Sequence, residues 1–309
     1  MPPTNDRGSV SLDRSSEFAP KSGKVAALLQ PRAGYQSTAS AGDPLGKTLG
    51  AVRMSGALFF VVATTTPFCV SVPHIRAYAD IILPQAGHVI SYHIMVEGGG
   101  WAHVPGVEPV RYGPGDIIVF PHGDPYVMES APGAQPEFTP AETIEFFRAL
   151  AAGALPFVIP EGGGGEPPGR VICGFLGCQA EPFNPVLASL PRLLHLKRPH
   201  AGGGDLLDRL IEMTMDVAQA GGPGGAGVSA RLSELLLIEL LRQYAAAPVD
   251  KPAGWLAGLG DPPIARALTA LHERPAASWT VAALAREAGM SRSAFANRFL
   301  DRVGRPPMR

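Results

Sequence analysis

The sequence predicts an α+β multidomain protein, in which a β-barrel or β-sandwich is followed by a helical linker and then an all-α helix-turn-helix. Short apolar runs alternate with Gly, Pro and Asp turn signals over residues 57–128, a texture typical of antiparallel sheets. After residue 205 the apolar residues recur at three- and four-residue spacing, which indicates helices. Close to the end, Gly289 separates two helical patterns by a tight turn, as in a helix-turn-helix.

Composition limits the class of protein. The chain has 309 residues, 46% of them hydrophobic and 17% charged, which is enough for two folded cores. Its three cysteines are too few and too odd in number for a disulfide framework. The sequence shows neither a secretory signal nor an apolar run that could cross a bilayer. We therefore expect a cytoplasmic protein without a membrane partner.

The β domain is predicted over residues 43–181, after a Ser-, Gly- and Pro-rich arm at 1–42 that is expected to be disordered. Its strands are predicted at 57–63, 68–72, 79–83, 89–96, 102–104, 117–120, 126–128 and 170–173. One helix is predicted at 141–153. The Gly/Pro-rich stretch 161–169 is interpreted as a flexible linker, since its glycines lack the flanking strand and Lys-Ser/Thr of a phosphate loop.

The helical linker is predicted over residues 182–246, with helices at 205–218 and 230–244. In the second helix, Leu232, Leu235, Leu236 and Leu240 form one apolar stripe, and Leu237, Ile238 and Leu241 widen it. A stripe this wide needs burial on two sides. Either a homodimer interface or burial within its own domain supplies that, and the sequence leaves both open. A Pro/Gly-rich joint is predicted at 247–263.

The helix-turn-helix region is predicted over residues 254–309. Pro263 begins a first amphipathic helix that ends near Arg274. Thr280 caps a helix at 281–288, Gly289 turns the corner, and Ser291 caps the next helix at 292–303. The shared core is predicted to contain Leu284, Phe295, Phe299 and Val303.

If the phenylalanines face inward, the opposite face of the last helix carries polar side chains. Residues 264–309 hold eight arginines and three acidic residues, a net charge of +5 on a chain whose total charge is −1. Double-stranded DNA is therefore the expected partner, although a hairpin used only for packing is the alternative. The predicted DNA contacts are Arg292, Ser293, Ala296, Asn297, Arg298 and Arg302. Asn297 suits adenine and Arg292 suits guanine or phosphate, whereas Arg298 and Arg302 suit backbone phosphate.

Residues 279–299, from Trp279 to Phe299, and the Gly304-Arg-Pro-Pro-Met308 element resemble the first helix-turn-helix of AraC/XylS-type transcription regulators. The resemblance implies DNA binding under the control of a small-molecule effector. In that family a linker helix and a second helix-turn-helix follow this element. The sequence stops at Arg309, so we expect either a truncated gene or a fragment.

Residues 43–195 resemble the cupin-like sensor domain of a subgroup of these regulators. Gly87 and His93 match the first cupin motif, in which Met95 replaces the second histidine. The second motif is matched at Gly115, Pro121 and Gly123, and Tyr126 replaces its histidine. The resemblance implies a barrel with an effector pocket, which we expect near His93, Trp101 and Tyr126.

Zinc is the one cofactor for which the sequence offers candidate ligands. His93 and His122 lie in the two motif hairpins, and Cys173 and Cys178 supply two thiols, a set that suits tetrahedral zinc. Strand alternation would turn the two cysteines to opposite faces unless a turn lies between them. Cysteines that pack as small apolar residues are the alternative interpretation.

Two other functions remain open at this point. A cupin enzyme such as a dioxygenase or isomerase needs an open metal site, from which Met95 and Tyr126 have removed ligands. A protein that no longer binds DNA and acts through dimerisation is the other. The sequence names neither the effector nor the operator, nor whether transcription is activated or repressed.

Overall fold

The computed structural model describes residues 54–179, 187, 190–198, 204–220, 224–246, 254–274 and 276–308. The strands are β1 Met54–Thr66, β2 Cys69–Val72, β3 His88–Glu97, β4 Gly100–His103, β5 Val110–Tyr112, β6 Ile117–Phe120, β7 Tyr126–Glu129, β8 Val158–Gly162, β9 Gly165–Cys178 and β10 Leu194–Leu196. The helices are α1 Ala79–Ile82, α2 Pro140–Ala151, α3 Leu206–Ala220, α4 Gly225–Ala246, α5 Trp255–Leu259, α6 Pro262–Glu273, α7 Val281–Ala288 and α8 Arg292–Val303. The arm at 1–42 lies outside the described residues.

The strands form two sheets that enclose one interior. The larger sheet has the order β10-β6-β3-β9-β1-β8 and the smaller one the order β2-β7-β4-β5. β8 runs parallel to β1, and the other pairings are antiparallel. Side chains from both sheets meet in one buried group, here called the inner cluster. The predicted barrel or sandwich is therefore confirmed.

The larger sheet is buried on both faces, because its strands alternate between two apolar cores. On β1, Phe60 and Val62 belong to the inner cluster, whereas Val61 belongs to a second buried group, the outer cluster. β9 alternates in the same way at Ile172 and Cys173. Helix α4 covers the outer face, so the two cores lie on opposite sides of one sheet.

Most of the leucine stripe predicted on α4 is buried within the chain itself. Its leucines belong to the outer cluster and are at most 7% exposed, and they are Leu232, Leu236, Leu237, Leu240 and Leu241. Leu235 is the exception, at 50% exposed. Of the two alternatives that the sequence left open, burial within the chain accounts for the width of this stripe, since the sheet lies on one side of α4 and α3 on another.

Three predicted segments differ from the structure. Residues 79–83, predicted as a strand, contain the short helix α1, because Tyr78 and Ile82 turn inward from a helical turn. The stretch 161–169, predicted as a flexible linker, contains the end of β8 and the start of β9. The segment 182–246, predicted as helical, also supplies β10, which pairs with β6 at the edge of the larger sheet.

The helix-turn-helix has the predicted elements. Helices α7 and α8 have the predicted bounds, with Thr280 and Ser291 as their N-caps. Gly289 ends α7 with a φ of 68°, a left-handed conformation that glycine adopts without strain. Leu284, Phe295 and Phe299 are buried in a third group, here called the HTH cluster, against which Val303 packs. The capping residues and the buried side chains of this short segment together determine where the turn lies.

Candidate functional site

An apolar cavity lies in the interior between the two sheets, on the side covered by α2. Six lining side chains are phenylalanines, and they are Phe60, Phe68, Phe138, Phe146, Phe147 and Phe175. The cavity has an open volume of about 70 Å³. A single water requires about 10–15 Å³, so there is room for several. Phe138 is 39% exposed and Glu161 is half-buried, so these two lie at the rim.

α2 is positioned over the cavity by its N-terminal cap. Thr139 accepts a hydrogen bond from the Glu142 amide, and the Glu142 carboxylate accepts one from the Thr139 amide at 2.8 Å. Such a capping box satisfies two amides that the helix leaves free. Phe147 of this helix stacks on Tyr78 with 4.1 Å between ring centroids and forms part of the cavity wall.

His93 is held between a tyrosine and a cysteine inside the cavity. Its Nε2 lies 3.0 Å from the Tyr126 hydroxyl and its Nδ1 lies 3.2 Å from the Cys173 thiol. Tyr126 in turn stacks on Phe120 with 3.7 Å between ring centroids. Sequence reasoning placed His93 and Tyr126 in the pocket, and the structure brings both to its wall.

The titratable groups of this cluster are neutral at pH 7. Burial lowers the pKa of His93 to about 3, because the imidazolium loses its hydration. Burial also raises the pKa of the Cys173 thiol and of the Tyr126 hydroxyl well above their usual values. The three side chains therefore form an uncharged, hydrogen-bonded group in the barrel interior.

The four residues suggested for zinc are not brought together. Cys173 belongs to the inner cluster and Cys178 to the outer cluster, so they lie on opposite faces of the sheet, as strand alternation requires. His122 Nε2 lies 2.8 Å from the carbonyl oxygen of Leu190, away from His93. Within the described ranges, no group of three His, Cys, Asp or Glu side chains could hold a metal ion. The metal site that a cupin fold implies therefore does not fit these residues.

Trp101 was predicted to line the pocket, and that is wrong. Its neighbours Gly100 and Ala102 on β4 are buried, and Ala102 belongs to the inner cluster. Because side chains alternate along a strand, Trp101 points to the other side of the smaller sheet, where it is paired with Glu129 and Arg111. The sequence indicated that the side chains of β4 alternate between two faces, but it did not indicate which residues face the interior.

Tyr112 and Glu161 are among the polar cavity residues that sequence reasoning missed. The Tyr112 hydroxyl is buried in the cavity wall and has no hydrogen-bond partner among the described residues. Glu161 lies at the rim, and burial together with the nearby Glu137 raises its pKa to about 7. Both lie in segments that the sequence did not assign to strands, so no face could be predicted for them.

The outer face of α8 is the second candidate site. Arg292, Ser293 and Asn297 are exposed as predicted, and Ala296 is half-buried. Arg286 and Arg305 are exposed close by in sequence. In the part of the chain that the structure describes, no hydrogen bond or ion pair is seen for the guanidinium groups of Arg286, Arg292 and Arg305. These three cations are free to meet phosphate.

Arg298 and Arg302, which were predicted to meet phosphate, both contact a carboxylate of the chain itself. The Nε of Arg298 donates to both carboxylate oxygens of Asp261, at 2.8 and 3.1 Å, and the Nε of Arg302 lies 3.2 Å from the same carboxylate. Asp261 is buried and caps α6 through the amide of Ile264. Both arginines therefore join α8 to the start of α6.

A short helix connects the helix-turn-helix to the rest of the chain. Trp255 and Leu259 of α5 pack against both the outer cluster and the HTH cluster, and Leu256 is buried in the outer cluster. The Gly254 amide donates to the carbonyl oxygen of Arg302 at 2.9 Å. This helix lies in the stretch predicted as a Pro/Gly-rich joint.

Comparison with known proteins assigns the family. A cupin family model matches residues 43–246. A Streptomyces lividans protein named as an AraC-like transcription regulator is 30% identical over 228 residues, which cover 72% of this chain and 70% of that protein. The chain belongs to the AraC-like transcription regulators with a cupin domain.

Two further relatives of this AraC-like regulator match shorter segments. A Streptomyces antibioticus protein with the same name is 49% identical over 81 residues, 26% of this chain and 27% of that protein. The regulator AlkR of Acinetobacter baylyi is 33% identical over 126 residues, 40% of this chain and 41% of its own. The chain thus matches well under half of the length of these two relatives.

Solved structures of AraC-type proteins align with most of the chain at low similarity. Fatty-acid-bound ToxT from Vibrio cholerae aligns over 82% of this chain and 94% of its own, with a TM-score of 0.30 and 7% identity. The AraC-like activator CuxR aligns over 80% of this chain and 70% of its own, with a TM-score of 0.31 and 13% identity.

Across the described residues, no helix combines the length and the apolar character needed to cross a membrane.

Proposed function

We propose that the chain binds double-stranded DNA through the outer face of α8 and that a small molecule in the barrel cavity controls this binding. The observation that carries the DNA part is the free polar face of α8, with Arg292 and Asn297 exposed in the first half of a capped helix. A recognition helix in the major groove uses its N-terminal residues on base edges. Family membership supports the same function.

Roles follow from the chemistry of each exposed side chain. The amide of Asn297 suits the two edge groups of adenine, and Arg292 suits guanine or phosphate. Arg286 and Arg305 supply further positive charge for phosphates, which positions the protein without reading sequence. Arg298 and Arg302 form ion pairs with Asp261 and thereby hold α8 against the start of α6.

A physical route joins the cavity to the DNA-binding helices. The inner cluster that surrounds the cavity and the outer cluster share the larger sheet, and α4 packs on the outer face of β1. Trp255 and Leu259 then pack between the outer cluster and the HTH cluster. A ligand that changes the spacing between the strands of the larger sheet would shift the position of α5 through these contacts.

A catalytic role is the second candidate, and the chemistry of His93 and Cys173 argues against these two side chains as catalytic groups. A pKa of about 3 leaves His93 a poor base at neutral pH, and the raised pKa of Cys173 keeps its thiol protonated. The relatives are named as transcription regulators. We infer that the cavity binds a molecule without transforming it.

Homodimer formation is also part of the proposal, through a contact that includes Leu235 of the α4 stripe and leaves out its buried leucines. Large apolar side chains that stay exposed on α3 and α4 are Leu206, Met213, Val228 and Leu235, each about half-exposed at 49–52%. A dimer interface on this face would bury them. Sedimentation of the Met213→Glu and Leu235→Glu variants against the wild type tests it.

Selection from random duplexes tests the DNA-binding role. The purified chain is used to enrich a preferred site, and binding is then followed by anisotropy over a salt series. Asn297→Ala should cost about 1–3 kcal/mol on the selected duplex and almost nothing on random DNA. Arg292→Ala should weaken binding and lower the salt slope by roughly one.

The matched control is Arg111→Ala, because Arg111 is equally exposed but lies on β5 of the smaller sheet. Its loss should leave binding and salt slope unchanged. If the Asn297 and Arg292 variants bind every duplex as the wild type does, α8 is not a recognition helix.

A further inference from the structure

We propose that the cavity ligand is an uncharged, mainly apolar molecule that carries one hydrogen-bond acceptor, such as a ketone or an ester, and that this acceptor receives the Tyr112 hydroxyl. This inference rests on the proposed function, since it names the chemical class of the effector. It depends on three features of the cavity: an unpartnered donor in its wall, the absence of a cation, and the aromatic lining.

The donor is the hydroxyl of Tyr112. Tyr112 is 3% exposed, lines the cavity, and has a buried hydroxyl without a hydrogen-bond partner among the described residues. Its ring reaches the interior because Gly100, its cross-strand partner, has no side chain: a Cβ there would lie 2.7 Å from the Tyr112 oxygen. A buried hydroxyl without a partner is costly, and a ligand acceptor would satisfy it.

Several other polar side chains of the cavity wall are already engaged. His93 bonds to Tyr126 and Cys173, and the hydroxyl of Thr143 donates to the Thr139 carbonyl at 3.1 Å. A sugar or another ligand with many hydroxyls would therefore find few partners and would lose more hydration than it regained. Among the described lining residues, Tyr112 alone carries a fully buried polar atom without a hydrogen-bond partner, and one acceptor on an apolar body matches it.

A negatively charged ligand is disfavoured by the same wall. The lining residues found in the described part of the chain include no lysine or arginine, and they include Glu161, an acidic side chain whose own pKa is raised by burial. A carboxylate ligand would enter an apolar site without a cation and next to an acidic side chain. Burying an unpaired charge in this way is unfavourable.

The rim sets how large the ligand can be. A cavity of about 150 Å³ holds one benzene ring, which is larger than the roughly 70 Å³ open here. Phe138 at the rim is 39% exposed and stacks on Phe146, and entry of a ring requires Phe138 to turn outward. We therefore choose aromatic probes of one ring.

Calorimetric titration of the full chain with three probes of equal heavy-atom count tests the class. Acetophenone carries the acceptor, isopropylbenzene replaces it with a methyl group, and benzoate replaces it with a charge. Acetophenone should bind most tightly and benzoate should not bind measurably. Tyr112→Phe should weaken acetophenone about three- to tenfold and leave isopropylbenzene within twofold.

Tyr92→Phe is the matched control. Tyr92 is also buried with an unpartnered hydroxyl, but it lies in the outer cluster on the opposite face of the sheet. It should leave acetophenone binding unchanged. The proposal is overturned if benzoate binds as tightly as acetophenone, if none of the probes binds up to its solubility, or if Tyr112→Phe changes acetophenone and isopropylbenzene equally.

Anisotropy on the selected duplex separates this inference from the proposed function. If acetophenone binds through Tyr112 but does not change DNA affinity, the ligand class stands and control by the cavity fails. If Asn297→Ala shows specific DNA binding while no uncharged probe enters the cavity, the DNA-binding role stands and the ligand class fails.

Discussion

The Nε of Arg298 on α8 donates to the carboxylate of Asp261, the residue that caps α6. Asp261 is 5% exposed, so the pair links a surface cation to a buried anion. The contact fixes the angle between α8 and the first helix of the unit. An arginine predicted to meet phosphate thus also has a partner within the chain.

Arg298→Ala should therefore lower stability more than it changes DNA binding. Arg302 still faces Asp261 at 3.2 Å, and Arg298 is 45% exposed, so the loss should be about 1–2 kcal/mol. Urea unfolding measures it. Arg305→Ala, an exposed arginine, should stay within about 0.5 kcal/mol. A salt slope that falls for Arg298→Ala as it does for Arg292→Ala would return Arg298 to the phosphate-binding set.

Gly174→Ala should destabilise the barrel strongly. Gly174 on β9 is the cross-strand partner of Tyr92, and a Cβ there would overlap the Tyr92 ring. Both residues are buried, so the ring has little room to move and a loss of about 2–4 kcal/mol is expected. Gly113→Ala is the control, since a Cβ at Gly113 meets nothing within 4 Å. Equal thermal stability of the two variants would contradict the prediction.

Glu161→Gln should remove a pH dependence of stability. The pKa of Glu161 is about 7 in the folded chain against an ordinary value of 4.5, so between these values the folded state holds more protons than the unfolded state. Stability from this group is therefore full below pH 4.5 and is lost as the pH rises through about 7. The variant should gain stability relative to the wild type at pH 8 and none at pH 4.

The check is a comparison of urea midpoints for wild type and Glu161→Gln from pH 4 to 8. Glu145→Gln serves as control, because Glu145 is exposed on α2. If the difference between wild type and Glu161→Gln is constant across this range, the carboxyl of Glu161 does not titrate near neutrality.

The sequence predicted the helix-turn-helix best because its signals are local. Thr280, Gly289 and Ser291 each act on the backbone within four residues, so the bounds of α7 and α8 could be read directly. The strand β6 was likewise predicted with its observed bounds, since four apolar residues lie between turn signals. Local chemistry was enough in both cases.

Elements that depend on distant partners were missed. The glycines of 162–165 were interpreted as flexible, but a Cβ at Gly162 or Gly165 would meet the backbone oxygen of Thr65 or Thr66 on β1. Glycine is there for a close approach between strands about a hundred residues apart, which composition does not reveal. The short run at 79–83 was too brief for periodicity to separate strand from helix.

The candidate sites divide in the same way. His93 and Tyr126 could be placed by their motif positions, whereas Tyr112 lies on β5, a three-residue strand without a sequence signal. The width of the α4 stripe was read correctly, but what covers it was decided by the outer face of a sheet formed from distant strands. Burial patterns predict that a face is covered and not by what.

Leu259→Ala should loosen two parts of the chain at once. Leu259 packs against both the outer cluster and the HTH cluster, so its loss removes contacts on each side of α5. Hydrogen exchange should become faster at the amides of α4 and at those of α6 and α8, with a total loss of about 1–3 kcal/mol. Leu271→Ala is the matched control, because Leu271 on α6 packs against the HTH cluster alone.

For Leu271→Ala, exchange should become faster in α6 and α8 and stay unchanged in α4. Both variants remove the same atoms from a leucine. A difference in exchange at α4 therefore shows that α5 connects the two clusters and does not only stabilise the HTH cluster. If Leu259→Ala affects only one side of α5, the route from the cavity to α8 does not pass through this helix. In that case the DNA-binding unit and the barrel respond independently, and a ligand bound beside Tyr112 would leave DNA affinity unchanged.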